Sequence, residues 1–176
     1  ISLKQKLPFI HLVESSGINL MNYTVEFWTN TGGMFYGLAK LSAAGIPTIA
    51  VLHGLSTAGG AYQPGMSDYV IGVKKNGMAA LAGPALLKAA TGEISKNDEL
   101  GGSEMHSRVT GLVEYLADDD AHAIEIVKDL INKIDWNSKI LKRESIKFQE
   151  PIYDCGEIIG VVPVSYTHLR AHETQR

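Results

Sequence analysis

The chain has 176 residues, 45% of them hydrophobic, and a formal net charge of −3. This length suffices for one ordinary hydrophobic core, and the charge shows neither the basic excess typical of nucleic-acid binding nor an acidic tail. The longest apolar runs, 46–52 and 78–87, are too short to cross a bilayer. Because Cys155 is the only cysteine, an internal disulfide and a cysteine-based zinc site are excluded, which favours a reducing, cytoplasm-like compartment.

Apolar periodicity and turn residues predict strands that alternate with helices. The strands are expected at 7–13, 46–51, 69–73, 78–82 and 112–116. The helices are expected at 33–43, at 61–67 as a brief segment, from Pro84 to about Gly92, and at 119–134. Such an order of elements predicts an α/β fold.

The helix at 119–134 has the clearest pattern in the chain. We expect Asp118 to cap its first turn, so the acidic run 118–120 is interpreted as capping and not as a metal site. Its buried stripe is predicted to consist of Ile124, Val127, Ile131 and Ile134.

The stretch 45–68 organises the rest of the chain. A β-branched strand delivers the adjacent glycines Gly59 and Gly60 to a helix start, where backbone N–H groups lack intrahelical partners and favour a negatively charged oxygen. No Glu, Asp or His lies within four positions of the pair, so a local general base is missing. The alternative is that both glycines only allow the strand and helix to pack closely.

Several blocks, in order, resemble the carboxyltransferase subunit of biotin-dependent acyl-CoA carboxylases. They are LSAAGIPTIAVLHGLSTAGGAYQPGMSDYVIGV, LAGPALLKAATGE, ELGGSEMHS and VTGLVEYLADDDAHAI. The resemblance covers residues 1 to about 163 and implies a crotonase-like (ClpP/crotonase) fold of ββα repeats. The chain would be an incomplete first domain of a two-domain carboxyltransferase.

The resemblance also implies boundaries along the chain. Residues 1–147 would be the C-terminal part of the N-terminal acyl-CoA carboxyltransferase domain, and residues 148–163 the connector and start of the second domain. The segment 164–176 loses apolar periodicity and is expected to be a non-native tail derived from an adapter or vector. Because the chain starts at Ile1 and not at Met, we expect it to be a fragment that is inactive alone.

In this family, CO2 moves from carboxybiotin to the α or vinylogous carbon of an acyl-CoA through an enolate. The resemblance implies that the N–H groups of Gly59 and Gly60 form the oxyanion hole. The residues expected to contact the acyl-CoA are Ser16, Gly17, Ala58, Ala61 and Tyr62. No metal is expected.

The partners implied are a biotin carboxylase, a biotin carboxyl carrier that delivers the cofactor, and further copies of the carboxyltransferase subunit. Neither nucleic acid nor a membrane is expected as a partner. The compartment implied is the cytoplasm, or the mitochondrial matrix if the source is eukaryotic.

Three alternatives remain at this point. Enoyl-CoA hydratases of the same superfamily carry a Glu two residues after the glycine run, where this chain has Tyr62. A biotin-dependent decarboxylase would run the same transfer backwards, and a non-catalytic acyl-CoA-binding protein would keep the pocket alone. The loop at Ser16 departs from the family, because Glu14 and Ser16 replace an Asp and a Gly.

For several other polar residues, a structural or solvent-exposed role is an alternative to a functional role. His106 matches a family histidine near the pocket, and we interpret it as structural. The side chains of Lys74, Lys75 and Lys88 could meet CoA phosphates, although a solvated surface explains them equally.

Overall fold

The computed structural model describes residues 1–15, 21, 24–136, 149–150 and 152–154. The expectations for Ser16, Gly17, Cys155 and the tail 164–176 therefore lie outside the described residues, as does most of the connector. The chain divides into two compact units, Ile1–Ile140 and Leu141–Arg176, and every element named below belongs to the first.

The described part of the first unit is built on a five-stranded parallel sheet. Its strands are β1 (Phe9–Ser15), β2 (Thr48–Thr57), β3 (Tyr69–Val73), β4 (Met78–Ala80) and β5 (Tyr115–Ala117). β2 is central, because it pairs with β1 along one side and, on the other, first with β3 and then with β4. β5 pairs with the outer side of β3.

Helical segments lie between most consecutive strands, and a turn at 74–77 joins β3 to β4. The helices are α1 (Ser2–Gln5), α2 (Val25–Ala43), α3 (Tyr62–Gly65), α4 (Pro84–Thr91), α5 (Asn97–Gly101), α6 (Ser103–Met105) and α7 (Asp120–Ile134). A 3-10 turn, Ala58–Ala61, precedes α3, and a π-helical turn, His106–Thr110, follows α6. Among the described residues, no helix combines the length and apolar content that crossing a bilayer requires. The arrangement confirms the predicted α/β class.

Both faces of β2 are buried, which is why its first half is apolar without alternation. One face joins Ile49 and Val51 to Ala123, Val127 and Leu130 of α7. The opposite face joins a second cluster, which consists of Val13, Ala50, Leu52, Val70, Ala79 and Val113. The sheet thus separates two cores.

The predicted details of α7 need correction. The cap is Asp119, whose Oδ1 accepts from the His122 backbone N–H at 2.8 Å, and not Asp118. Val127 is buried as predicted, and Ile131 and Ile134 pack, partly buried, against the same core. The other two buried residues are Ala123 and Leu130, and Ala123, which is 0% exposed, replaces the predicted Ile124 on this face.

Two elements are longer than predicted. Helix α2 begins at Val25, where Thr24 caps it by accepting from the Phe27 N–H at 3.1 Å. The sequence missed this start because its first turns carry two adjacent glycines and no regular apolar stripe. Strand β2 continues to Thr57, since its second half pairs with β4 through small and polar residues.

Candidate functional site

The turn after β2 carries the predicted glycine pair. The pairing of β2 with β1 ends at Ser15↔Ser56, and its pairing with β4 ends at Thr57↔Ala80. Gly59 and Gly60 follow these last pairs, in the 3-10 turn that leads into α3. Their amides therefore lie outside the strand ladder, at a helical start where N–H groups are short of intrahelical partners.

The backbone is strained where β2 meets this turn. Ala58 has φ 51°, in the left-handed region that residues with a Cβ adopt at a cost of order 1 kcal/mol. Ala58 is exposed, whereas Gly60 in the same turn is buried. Strain of this kind concentrates at functional sites, and here it turns the chain from strand to helix immediately before the glycine pair.

The two glycines differ in what packing requires of them. A Cβ at Gly60 would lie 2.7 Å from the Ser15 Cβ and 3.2 Å from the Ser15 carbonyl oxygen, so close packing accounts for this glycine. A Cβ at Gly59 would meet only the Phe35 ring, at an ordinary 3.6 Å, and Gly59 has no positive φ. Packing therefore does not explain the glycine at position 59.

A groove of about 660 Å³ lies beside the turn. This is the size and the predominantly apolar character of a site for a small organic ligand. Its lining residues are Ala61, Tyr62, Gly65, Met66, Ala79, Ala80, Leu81, Ala82, Leu87, Leu100, His106 and Leu112.

Tyr62 and Ala61 are the predicted contact residues that line this groove. Tyr62 is 53% exposed, and its ring packs edge-on against Phe35 of α2 with centroids 5.6 Å apart. Ala58, Gly59 and Gly60 are not among the lining residues; they precede Ala61 and Tyr62 in the same turn.

His106 lines the groove, but both of its ring nitrogens have protein partners. Nε2 lies 2.7 Å from the carbonyl oxygen of Ala79, so this nitrogen carries the hydrogen and donates. Nδ1 lies 2.8 Å from the Thr110 hydroxyl oxygen. This arrangement agrees with the interpretation of His106 as a structural histidine that fixes the π-helical turn against β4.

The three candidate lysines have different surroundings. The Lys74 ammonium pairs with the Asp118 carboxylate, and hydrogen bonding to Lys74 lowers the pKa of Asp118. The Lys75 backbone N–H donates to Glu104. Lys88 is exposed on α4, one position after Leu87, which lines the groove. None of the three lysines is among the residues that line the groove.

Two polar contacts near the site were not predicted. Asp68 Oδ2 accepts from both the N–H and the hydroxyl of Thr48, at 2.8 and 2.9 Å, and ties the chain after α3 to the start of β2. His11 of β1 contacts Ser67. Sequence periodicity carries no signal for either contact, because the partners are 20 and 56 residues apart.

No group of three or more His, Cys, Asp or Glu side chains within the described ranges is arranged to hold a metal ion. The acidic run 118–120 is instead engaged in capping and ion pairs. Asp119 caps α7, Asp118 pairs with Lys74, and Asp120 lies 3.8 Å from a ring nitrogen of His53.

Comparison with known proteins gives the family. A family model described as a carboxyl transferase domain matches residues 1–169. The chain belongs to the carboxyl transferase domain family. The match spans nearly the whole chain and extends into the segment 164–176, for which a non-native origin stays a prediction.

Individual relatives of this carboxyl transferase domain carry informative names. It is 46% identical over 163 residues to a probable biotin-dependent acyl-coenzyme A carboxylase beta2 subunit of Mycobacterium tuberculosis, covering 93% of this chain and 30% of the relative. It is 41% identical over 165 residues to the mitochondrial methylcrotonoyl-CoA carboxylase beta chain of Dictyostelium discoideum, covering 93% and 28%. The chain therefore spans less than a third of these relatives.

A solved structure agrees with the sequence relatives. The geranyl-CoA carboxylase beta subunit of Pseudomonas aeruginosa matches with a TM-score of 0.71 and 42% identity, over 93% of this chain and 30% of that one. The predicted crotonase-like fold and the predicted family are thereby confirmed. Membership of this family also argues against the hydratase alternative, in agreement with the Tyr that occupies the expected Glu position.

Proposed function

We propose that this carboxyl transferase domain binds an acyl-CoA and stabilises its enolate in a biotin-dependent acyl-CoA carboxylase. The observation that carries the proposal is Gly59, because neither packing nor backbone conformation requires a glycine there. A ligand oxygen that approaches the Gly59 backbone provides the missing reason.

The amides of Gly59 and Gly60 act as donors toward the thioester oxygen. When the α-carbon loses its proton, the negative charge moves onto this oxygen, and fixed N–H donors stabilise that state more than the neutral carbonyl. Ala61 and Tyr62 continue the bend along the groove, where the apolar wall accommodates the acyl group. Carboxybiotin on a carrier domain would supply the CO2 and the nitrogen that takes the α-proton.

The turn has no side chain that could act as a base, which fits the proposal that the chain holds the oxyanion and the cofactor takes the α-proton. The side chains beside the glycine pair are small, aromatic or amide groups, and His106 already has partners on both ring nitrogens. The chain would therefore hold the oxyanion while the cofactor handles the proton.

The wider organisation proposed follows the family. Residues 1–147 belong to the first carboxyltransferase domain, residues 148–163 lead into a second, and Ser16 and Gly17 complete the acyl-CoA site. The subunit assembles with copies of itself and with a biotin carboxylase and carrier partner. It works in the cytoplasm, or in the mitochondrial matrix if the source is eukaryotic.

The test is biotin-dependent decarboxylation of 3-methylglutaconyl-CoA, the carboxylated form of 3-methylcrotonyl-CoA, by the complete subunit that contains this chain, with free biotin as the CO2 acceptor. We expect turnover that depends on biotin and falls on the order of 10²- to 10³-fold in Gly59→Pro, which removes one N–H donor. Melting and CoA-ester binding are measured in parallel, so that misfolding is recognised.

Gly59→Ala separates the N–H donor from ligand access, because it keeps the N–H and its Cβ meets no protein atom closer than 3.6 Å. It should fold normally and keep a higher kcat than the proline variant, but its Cβ should hinder the approach of the ligand and raise KM. A folded wild-type subunit that binds CoA esters without biotin-dependent turnover would contradict the catalytic proposal and favour a non-catalytic acyl-CoA-binding protein.

A further inference from the structure

Helix α3 forms one wall of the groove but is too short to be stable without contacts to other elements. It has four residues, Tyr62–Gly65, and its N-terminus has no side-chain cap. Isolated helices of this length are unstable, so tertiary contacts must fix its position. Tyr62, Gly65 and the following Met66 line the groove, and any shift of α3 would change that wall directly.

The opposite side of α3 is attached to β1 through His11. The Nε2 atom of His11 lies 2.9 Å from the Ser67 hydroxyl oxygen, and Nδ1 lies 3.4 Å from Oε1 of Gln63. In a neutral ring with its hydrogen on Nε2, Nδ1 is an acceptor and faces another acceptor in Gln63, so the contact with Ser67 is the hydrogen bond of the two. The Ser67 hydroxyl also donates to the main-chain carbonyl of Gln63 at 2.8 Å, which leaves its oxygen free to accept from Nε2–H. We call these three residues the His11 latch.

The latch is suited to a positioning role at neutral pH. His11 is half-buried, and burial lowers the pKa of its imidazole below the ordinary value of 6.5, so the neutral ring is the form present. The partners it contacts, Gln63 and Ser67, are uncharged and belong to α3 and the residues just after it. The short Nε2 contact is therefore a neutral hydrogen bond between a rigid strand and a short helix.

Strand β1 also contacts the 3-10 turn Ala58–Ala61 that carries the glycine pair. Ser15, at the end of β1, is the residue that leaves no room for a Cβ at Gly60. The same strand thus contacts the glycine turn through Ser15 and α3 through His11. On the groove side, Phe35 of α2 packs against the Tyr62 ring, so α3 is held between two elements.

We propose that the His11 latch is a positioning device that fixes α3 and thereby the acyl wall formed by Tyr62 and Met66. This inference rests on the proposed acyl-CoA-binding function. His11 does not touch the substrate, and it acts through the helix that does. Loss of the latch should weaken acyl-CoA binding more than it slows the chemical step.

The first experiment is ¹³C-methyl methionine NMR of the 176-residue chain. In His11→Leu, the Met66 methyl resonance should shift, whereas the resonance of Met78, which is 2% exposed in β4, should stay in place. His11→Gln keeps an amide donor toward Ser67 and should restore most of the wild-type Met66 position. His122→Asn on α7 is the matched control and should move neither resonance.

The second experiment measures kcat and KM for decarboxylation of 3-methylglutaconyl-CoA, the carboxylated form of 3-methylcrotonyl-CoA, in the complete subunit. His11→Leu should raise KM about fivefold to tenfold, the size expected for one lost hydrogen bond, and change kcat less. His11→Gln should recover most of the KM, and His122→Asn should match the wild type.

The outcomes test separately whether the latch fixes α3 and whether it contributes to acyl-CoA binding. A Met66 resonance that does not move in His11→Leu overturns the latch whatever the enzyme does. A moved Met66 with unchanged KM, or a fall in kcat alone, overturns its role in binding and leaves only a structural contact. A wild-type subunit without biotin-dependent activity contradicts the proposed function, and the latch loses its catalytic meaning with it.

Discussion

At the scale of single residues, the contrast between two adjacent glycines separates packing from chemistry. Gly60 is buried against Ser15, while Gly59 has ordinary space around the position of a Cβ. The sequence shows two identical residues, and only the structure shows that close packing requires a glycine at position 60 but not at position 59. The oxyanion proposal therefore rests more strongly on Gly59 than on Gly60.

This contrast predicts opposite effects on stability. Gly60→Ala should lower the free energy of unfolding by about 1–3 kcal/mol, because its Cβ would overlap Ser15, whereas Gly59→Ala should change it by less than about 0.5 kcal/mol. Urea unfolding of the chain measures both values. The double variant Ser15→Gly with Gly60→Ala relieves the overlap and should recover part of the loss. Equal destabilisation by the two alanine variants would contradict the packing argument.

At the scale of elements, regular patterns predicted the structure well where burial follows one period. The strand at 69–73 and the helix starting at Pro84 match the predictions, and Gly92 ends that helix in the left-handed conformation, φ 80°. The prediction failed where small residues decide the geometry. Ala123 and not Ile124 is buried in α7, and the strand predicted at 46–51 extends to Thr57 through small and polar residues.

The cap of α7 gives a prediction at this scale. Asp119→Ala should lower the free energy of unfolding by about 1 kcal/mol, since it removes the acceptor for the His122 N–H, and Asp119→Asn should retain most of it. Asp118→Ala removes exposed contacts with Lys74 and His122 and should cost less. Thermal unfolding at low salt compares the three variants. A larger loss for Asp118→Ala than for Asp119→Ala would restore the cap first predicted from the sequence.

At the scale of the whole molecule, the order of strands and helices sufficed for the α/β class, and the motif blocks sufficed for the family. The candidate site was only half predictable. Gly59, Gly60, Ala61 and Tyr62 are contiguous, so a motif finds them. The contacts that fix them, such as His11 with Ser67, join residues 56 positions apart and arise only when β1 pairs beside β2.

We propose that the described part of the chain forms the acyl-CoA side of the active site. Its relatives are about three times as long, so the proposal assigns to this chain the donors and the acyl wall, and to other parts the carrier of CO2. Within the described ranges, nothing in the turn between β2 and α3 competes for protons. The central claim is therefore a claim about hydrogen bonds to one oxygen atom.

The most direct measurement is the infrared carbonyl stretch of a ¹³C-labelled thioester, 3-methylcrotonyl-CoA, bound to the complete subunit. Two backbone donors should shift the stretch to lower frequency than in water, and Gly59→Pro should remove much of this shift while Gly59→Ala retains it. The account predicts that pattern in proteins that bind the ligand and melt normally. A bound thioester whose stretch is the same in wild type and Gly59→Pro would contradict the assignment of Gly59 as an oxyanion donor.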